Sequence, residues 1–242
     1  MIRTAVILAA GRGSRLDPGL PDEEQAYSKP LLRLGEQTLL ERTVRGCLRV
    51  GIERIVVVTG FRAERVAQDL ARYGGQAVER VHNPDWQRQN GLSLYACRGR
   101  VAEPFILSMA DHLLDPTIIA DLVQLDPRPK TVTLAVDSKV DRVFDLDDAT
   151  KIWVEEGRIQ AIDKALQRFN AIDCGLFACT PAVFDALGAA MVDNDCSLSD
   201  GMRLLAGRGD LLPFDIGPRW WQDVDTPEML AEAQALLQRL EH

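Results

Sequence analysis

The 242-residue chain has little of several things, and each shortage removes a class of function. Its five cysteines (Cys47, Cys97, Cys174, Cys179 and Cys196) are odd in number, scattered and without C-x-x-C spacing. Free, buried thiols in a reducing, cytoplasmic compartment are expected, not a disulfide framework. Three histidines, one of them terminal, leave little for a histidine-rich zinc site. No apolar run approaches the ~20 residues of a membrane span, and no signal-peptide pattern opens the chain, so direct membrane insertion is not expected. Positive charge is in deficit: 28 Lys and Arg against 36 Asp and Glu give a net charge of −8. That balance argues against nucleic acid held on a broad basic surface. A polyphosphate site in such a chain must be a local positive island or be helped by a metal ion. Neither a Ser-His-Asp nor a Cys-His constellation stands out.

What is present starts near the N-terminus. An apolar run, Thr4–Leu8, feeds the small-residue loop Ala9-Ala10-Gly11-Arg12-Gly13, followed by Ser14, Arg15, Leu16 and, later, Ser28-Lys29-Pro30. Gly11 and Gly13 permit backbone angles closed to other residues and let a ligand approach the amides. Successive amides in such a turn make an anion-binding concavity, to which Arg15 and Lys29 add charge-assisted hydrogen bonds.

Strand-like and helix-like segments alternate through the first half. Thr4–Leu8, Arg54–Val58, Ala77–Val81 and Phe105–Met109 read as strands. Between and after them, Thr38–Val50, Ala63–Tyr73, Leu92–Gly99 and Pro116–Leu125 read as helices. That alternation predicts a parallel sheet with helices on both faces, its ligand crevice at the carboxyl ends of the strands. The loops after Leu8, Val58, Val81 and Met109 are expected to share that crevice. After Pro129 the pattern becomes β-rich: a strand at Thr131–Val136, a hairpin of Lys151–Val154 and Arg158–Ile162, and a strand at Ile172–Ala178. Helices at Pro181–Ala190 and Leu198–Leu205, a short strand at Leu211–Phe214 and a last helix from Asp225-Thr226-Pro227-Glu228 follow. We expect one domain over 1–242, with a nucleotide-binding half at 1–128. The half at 129–242 would be an acceptor-binding or lid extension ending in the C-terminal helix.

Three further segments carry chemistry. Phe105–Met109 ends at Asp111, in the same rim as the glycine loop, where a hard oxygen donor suits Mg²⁺. His112 is either a structural histidine beside the site or a participant in it. In Trp220-Trp221-Gln222-Asp223-Val224-Asp225, the two aspartates face one way if the segment is extended. They could complete the metal site, although Asp225 could equally be only a helix cap. Asn90 and Ser93 stand at a helix entry, where capping and recognition of a base edge compete about evenly.

Taken with Lys29-Pro30-Leu31, the segment Leu8-Ala9-Ala10-Gly11-x-Gly13-x-Arg15-Leu16 resembles the signature of the nucleoside-triphosphate transferases that activate sugar or alcohol phosphates. Asn90-Gly91-x-Ser93-Leu94, the Phe105–His112 segment, Ala149-Thr150-Lys151-Ile152 and Asp223-Val224-Asp225-Thr226 are most similar to the CTP:inositol-1-phosphate cytidylyltransferases. The resemblance implies a Rossmann-like, mostly parallel mixed sheet of the nucleotide-diphospho-sugar transferase type. It implies CMP transfer from CTP to inositol 1-phosphate with release of pyrophosphate. By motif position, Leu8, Ala9, Ala10, Gly11, Arg12, Gly13, Asn90 and Ser93 bind nucleotide, while Arg15 and Lys29 act on the transferring phosphates. Asp111, Asp223 and Asp225 hold Mg²⁺, and Lys164, Asp173 and His112 face the acceptor.

The Leu16–Lys29 interval is longer and more acidic than in compact relatives. The membrane phosphotransferase domain often fused to inositol enzymes is absent, which implies a separate downstream partner or another acceptor. Choline phosphate, a phosphonate, or a sugar 1-phosphate with UTP or dTTP are the rival substrates. A dehydrogenase would need a third glycine where Ser14 or Leu16 stands, and a non-catalytic nucleotide sensor would have no use for Lys29, Asp111 and Asp225. Trp220 and Trp221 serve either packing under the sheet or a homo-oligomer contact. On this reading Lys29→Ala abolishes most turnover and costs the fold little.

Overall fold

The computed structural model describes residues 1–13 and 28–240. Six consecutive buried residues make β1 (Thr4–Ala9) the middle of the sheet. It runs parallel to β4 (Arg54–Thr59) on one side and β6 (Phe105–Met109) on the other, and β5 (Val78–His82) lies parallel beyond β4. Short β2 (Arg33–Leu34) and β3 (Gln37–Thr38) form a separate ribbon just before the first helix.

The chain therefore builds outward from β1 through β4 to β5, then crosses back to place β6 on β1's other edge. The order reverses between β1 and β6, the position at which open α/β sheets bind ligands. Beyond β6 the sheet turns antiparallel. Strand β11 (Ala171–Cys179) pairs with β6 and with β8 (Val132–Asp137), and β12 (Leu211–Asp215) runs parallel to β8. A hairpin of β9 (Lys151–Glu155) and β10 (Arg158–Asp163), turned at Glu156-Gly157, attaches to the start of β11. Among the described residues, nine strands share this sheet. The expected mostly parallel, mixed α/β architecture is what the chain adopts.

Alternation along β1 sends side chains to two cores, and helices cover both. Val6 and Leu8 point into one with Leu94 of α3 (Gly91–Tyr95), Phe184 of α5 (Ala182–Ala190) and Met202 of α6 (Leu198–Gly207). Ala5, Ile7 and Ala9 point into the other with Val44 of α1 (Leu39–Arg49), Val66 of α2 (Ala63–Leu70) and Ile118 of α4 (Pro116–Val123). Local chemistry sets the helix starts. Thr38 Oγ1 accepts from Glu41 N at 3.0 Å, and Asp115 Oδ1 from Thr117 N at 2.9 Å with Pro116 next. All five cysteines are buried and unpaired. No helix among the described residues is long and apolar enough to cross a membrane.

Two expectations change. The helix expected at Leu92–Gly99 is a single short element, Gly91–Tyr95, followed by turns. The loops after β4 and β5 do not jointly line the crevice. Phe61 N donates to Ala10 O at 2.9 Å, and a side chain at Gly60 would strike Trp86 and Ala10 O. Those loops brace the glycine loop from behind, and of that region Asn90 reaches the cleft. A small ribbon not foreseen as a pair, β7 (His112–Leu114) with β13 (Trp221–Asp223), sets Asp223 opposite His112. It brings the segment before the last helix, α7 (Pro227–Leu240), to the end of β6.

Candidate active site

A cleft of about 440 Å³ opens at the reversal point, between the ends of β1 and β6 and the antiparallel half of the sheet. Its inner wall holds Leu8, Ala9, Gly11, Gly13, Lys29, Asp111, Asp223 and Asp225. Gly13 is left-handed (φ +71°), and a Cβ there would lie 2.6 Å from Lys29 Cβ. Gly11 does not share that backbone conformation. Among the described residues a Cβ on it would meet nothing within 4 Å, so its value is the room it leaves for a ligand.

Lys29 is buried, and its ammonium joins two carboxylates. It donates to Asp111 Oδ2 at 2.6 Å and pairs with Asp225. Asp111 in turn bonds His112 Nδ1 at 2.7 Å, and the His112 ring stacks on Trp221. Burial would raise the Asp111 pKa, but the Lys29 and His112 charges and hydrogen bonds hold it well below the usual carboxylate range. Burial likewise pulls His112 down. The bond and charge of Asp111, with the charge of Asp223, outweigh it and raise the imidazole above its ordinary value.

Asp225 is not the cap of α7. Thr226 Oγ1 accepts from Met229 N at 3.3 Å, which leaves the Asp225 carboxylate to face Lys29. Asp223 lines the same wall, its Oδ1 accepting from Gln222 at 3.2 Å. Among the described residues no three carboxylates, imidazoles or thiols gather as a ready metal cage. Asp111 and Asp225 nevertheless converge on one point that a cation, the Lys29 ammonium, already holds. Two hard oxygen donors of that kind suit Mg²⁺, which keeps several waters.

The opposite wall is looser. Lys164, just past β10, donates to Asp148 Oδ1 at 2.7 Å and is more than half exposed. Asp148, Ala149, Thr150, Asp173 and Gly175 complete this wall. Gly175 (φ +68°) marks the irregularity where β11 breaks register with β8, and a Cβ there would overlap the His112 ring at 2.6 Å. Asp173 Oδ1 accepts from Gly175 N at 2.7 Å. Burial dominates this carboxyl and pushes its pKa up to about 6.

The remaining candidates are placed as follows. Asn90 lines the cleft, and its Oδ1 accepts from Leu198 N at 2.8 Å, so it caps the first turn of α6, not its own short helix. Ser93 is buried behind the wall, accepting from Asn83 Nδ2 at 3.0 Å. Ala10 is buried beneath the glycine loop. Arg12 sits over the Phe61 ring at 5.8 Å, outside the cleft lining. Arg15 and the acidic stretch Asp22-Glu23-Glu24 lie outside the described residues. Sequence reasoning missed Asp148 and Ser199 as cleft residues, and Thr150 entered it only as part of a family segment. An acidic residue ahead of a β-hairpin and a serine inside a helix start carry no signal that separates them from surface residues.

A sheet reversed at β1, a glycine turn on its end and an aspartate on the end of β6 define a nucleotide-binding α/β transferase. Residues 5–144 match the MobA-like NTP transferase domain, and the chain belongs to that family of nucleotidyltransferases. The family generally uses a divalent metal.

Among curated relatives, the bifunctional IPC transferase and DIPP synthase of Rubrobacter xylanophilus is 36% identical over 96% of this chain and 51% of its own length. The protein of the same name from Aquifex aeolicus is 30% identical over 98% and 52%. The chain thus spans about half the length of these relatives. The UTP–glucose-1-phosphate uridylyltransferase of Haloferax volcanii is 26% identical over 97% of this chain and 96% of its own. Among solved structures, the inositol-1-phosphate CTP transferase from T. maritima superposes with a TM-score of 0.86 at 24% identity, over 100% of this chain and 97% of that one.

Proposed function

We propose that the chain transfers CMP from CTP to the phosphate of inositol 1-phosphate, giving CDP-inositol and pyrophosphate. The observation that carries this reading is a cleft with two unlike walls. One wall is a glycine loop with a buried Lys29–Asp111–Asp225 group, and the other carries Lys164 and Asp173. The names of the relatives above support the cytidylyl and inositol parts.

A phosphate monoester has a second pKa near 6, so at neutral pH the acceptor is already an anionic nucleophile and no general base is needed. An acceptor oxygen bonds to the α-phosphorus, the bond to the bridging oxygen breaks, and its electron pair leaves with pyrophosphate. Residues of the Leu8–Gly13 loop and Asn90 hold the nucleotide. Lys29, joined by Arg15 on the strength of the family signature, offsets charge on the transferring and leaving phosphates. Lys164 orients the acceptor phosphate, Asp173 accepts from acceptor hydroxyls, and His112 fixes Asp111 between the two walls. Asp111 and Asp225, with Asp223 beside them, would hold Mg²⁺, which when bound neutralises phosphate charge.

Choline phosphate fits less well, because a quaternary ammonium calls for an aromatic cage. Among the described residues, the aromatic side chains lining the cleft are Phe177, which is buried, and Trp221, which is stacked on His112. Trp153 and Phe169 instead engage Arg168 and Lys151. One second reading has a specific support: the Haloferax uridylyltransferase matches this chain from end to end. Pyrophosphate release with four nucleotides against inositol 1-phosphate, choline phosphate, 2-aminoethylphosphonate and glucose 1-phosphate separates the two. CTP with inositol 1-phosphate is expected to be fastest. A faster reaction of UTP or dTTP with glucose 1-phosphate overturns the cytidylyl assignment, and nucleotide binding with no release for any pair makes the chain a sensor.

A further inference from the structure

The family signature assigns Lys29 to the phosphates, yet its ammonium is not turned toward open cleft. It lies between Asp111 and Asp225, the two carboxylates best suited to hold a divalent metal. The side chain is led there by a lane that Gly13 keeps clear: a Cβ at Gly13 would fall 2.6 Å from Lys29 Cβ and 3.2 Å from both Cγ and Cδ. The stem is packed and the carboxylates are largely buried, so their pairing is screened little by solvent. Two cations cannot share one meeting point of two carboxylates. Among the described residues, the neighbouring Ser28 adds no side-chain bond that would pin the segment, since its buried hydroxyl has no hydrogen-bond partner there.

We propose that Lys29 is a built-in competitor of the metal for the Asp111–Asp225 pair, released toward the phosphates when a divalent ion takes its place. This deepens the metal-assisted reading above and rests on it. Metal arrival and delivery of the phosphate-binding cation become one event, so the site is fully charged for catalysis only when the ion is seated. Without the ion, the same lysine keeps two close carboxylates from repelling each other and holds the wall in shape.

Binding of Mn²⁺ alone, followed by electron paramagnetic resonance without nucleotide or acceptor, tests this independently of substrate choice. Removing the competing charge in Lys29→Met is expected to tighten Mn²⁺ about ten- to a hundredfold, the scale of one nearby unit charge at an intermediate dielectric. Lys164→Met, which removes a cation from the opposite, exposed wall, should change it less than about threefold. In wild-type protein grown with ¹³Cε-labelled lysine, Mg²⁺ should shift the Lys29 resonance, and in the same unmethylated protein it should make the Lys29 amine newly reactive to acylation, readouts that do not depend on the variant folding. Mn²⁺ affinity unchanged or weakened in Lys29→Met overturns the proposal. So does a Lys29 resonance and reactivity indifferent to Mg²⁺. If the pyrophosphate screen selects another substrate pair while Mn²⁺ tightens as expected, the substrate reading falls and the competition stands.

Discussion

The two walls of the cleft are built to different standards. On the inner wall the Lys29 side chain is 10% exposed and its partners Asp111 and Asp225 are 25% and 15% exposed. On the outer wall Lys164 is 55% exposed and Asp148 36%. Of the inner group, Asp111 follows the end of β6, a strand gripped on both edges, Asp225 lies on a segment tied back by Val224 N donating to Asp111 O at 3.0 Å, and Lys29 opens the short turn Lys29–Leu31. On the outer wall Lys164 and Asp148 hang on the β9–β10 hairpin and the loop before it, while Asp173 sits on β11. Charges held in a dry, braced wall act strongly on a transition state and are costly to disturb. Charges on an exposed hairpin bind with modest energy and can change without loss of fold. On the proposed reading, the step shared by every substrate pair belongs to the buried wall, and the choice of acceptor to the more exposed one.

The sharpest way to break the comparison is to remove the inner cation. Lys29→Ala should lower kcat by about a thousandfold in the pyrophosphate assay, the scale for loss of a preorganised charge donor. Contrary to what the sequence suggests, the fold should suffer as well. Denaturation in chelator should show a loss of roughly 2–4 kcal/mol, because Asp111 and Asp225 are left close together without the cation that bridges them. A thousandfold loss with unchanged stability would mean that the buried ion group is not formed in solution. Gly13→Ala is next. A non-glycine residue at φ +71°, pressed against the Lys29 stem, should cost about 1–2 kcal/mol and at least ~10-fold in kcat. Full activity would show that Lys29 does not use that lane.

Much of this was legible in the chain, and the part that was not has a physical pattern. Continuous apolar runs such as Thr4–Leu8 and Arg54–Val58 announce strands buried on both faces. Pro116, in the first turn of α4, announces that helix's start. Strand ends and a glycine turn then locate the inner wall. Partners remote in sequence were hidden. Nothing local says that Asn90 will cap a helix 108 residues later, or that Thr226 and not Asp225 will cap α7. The β7–β13 ribbon was invisible because three-residue strands carry no usable periodicity. Gly11 and Gly13 look interchangeable in sequence, yet one leaves room for a ligand and the other clears a path for a lysine.

On the outer wall the effects should be smaller and of a different kind. Lys164→Ala should raise KM for the acceptor about 10- to 30-fold, leave KM for the nucleotide unchanged, and move stability by less than ~0.5 kcal/mol. An equal loss with respect to both substrates would place Lys164 on the transferring phosphate and erase the distinction between the walls.

Asp173 gives the subtlest test, because its stability effect has the opposite sign to that of Lys29. Its carboxyl has a pKa of about 6 in the folded chain against an ordinary 3.8, with burial as the main cause. The folded state therefore holds this proton more tightly than the unfolded state does. The group costs nothing at pH 3, its contribution to stability is lost as pH rises from about 4 to 6, and the deficit is constant above that. Asp173→Asn keeps an oxygen for Gly175 N and removes the charge. It should raise stability at pH 7.5 by ~1–2 kcal/mol, allowing for partial exposure of the site, and flatten the pH 4–6 decline. The same variant should weaken the acceptor, because an amide accepts fewer hydrogen bonds from a polyol than a carboxylate. A more stable protein with an unchanged acceptor KM would make Asp173 a strained structural residue and leave Lys164 to define the outer wall. Stability gained together with acceptor affinity lost would show a carboxylate kept buried, at a cost to the fold, for the substrate it meets.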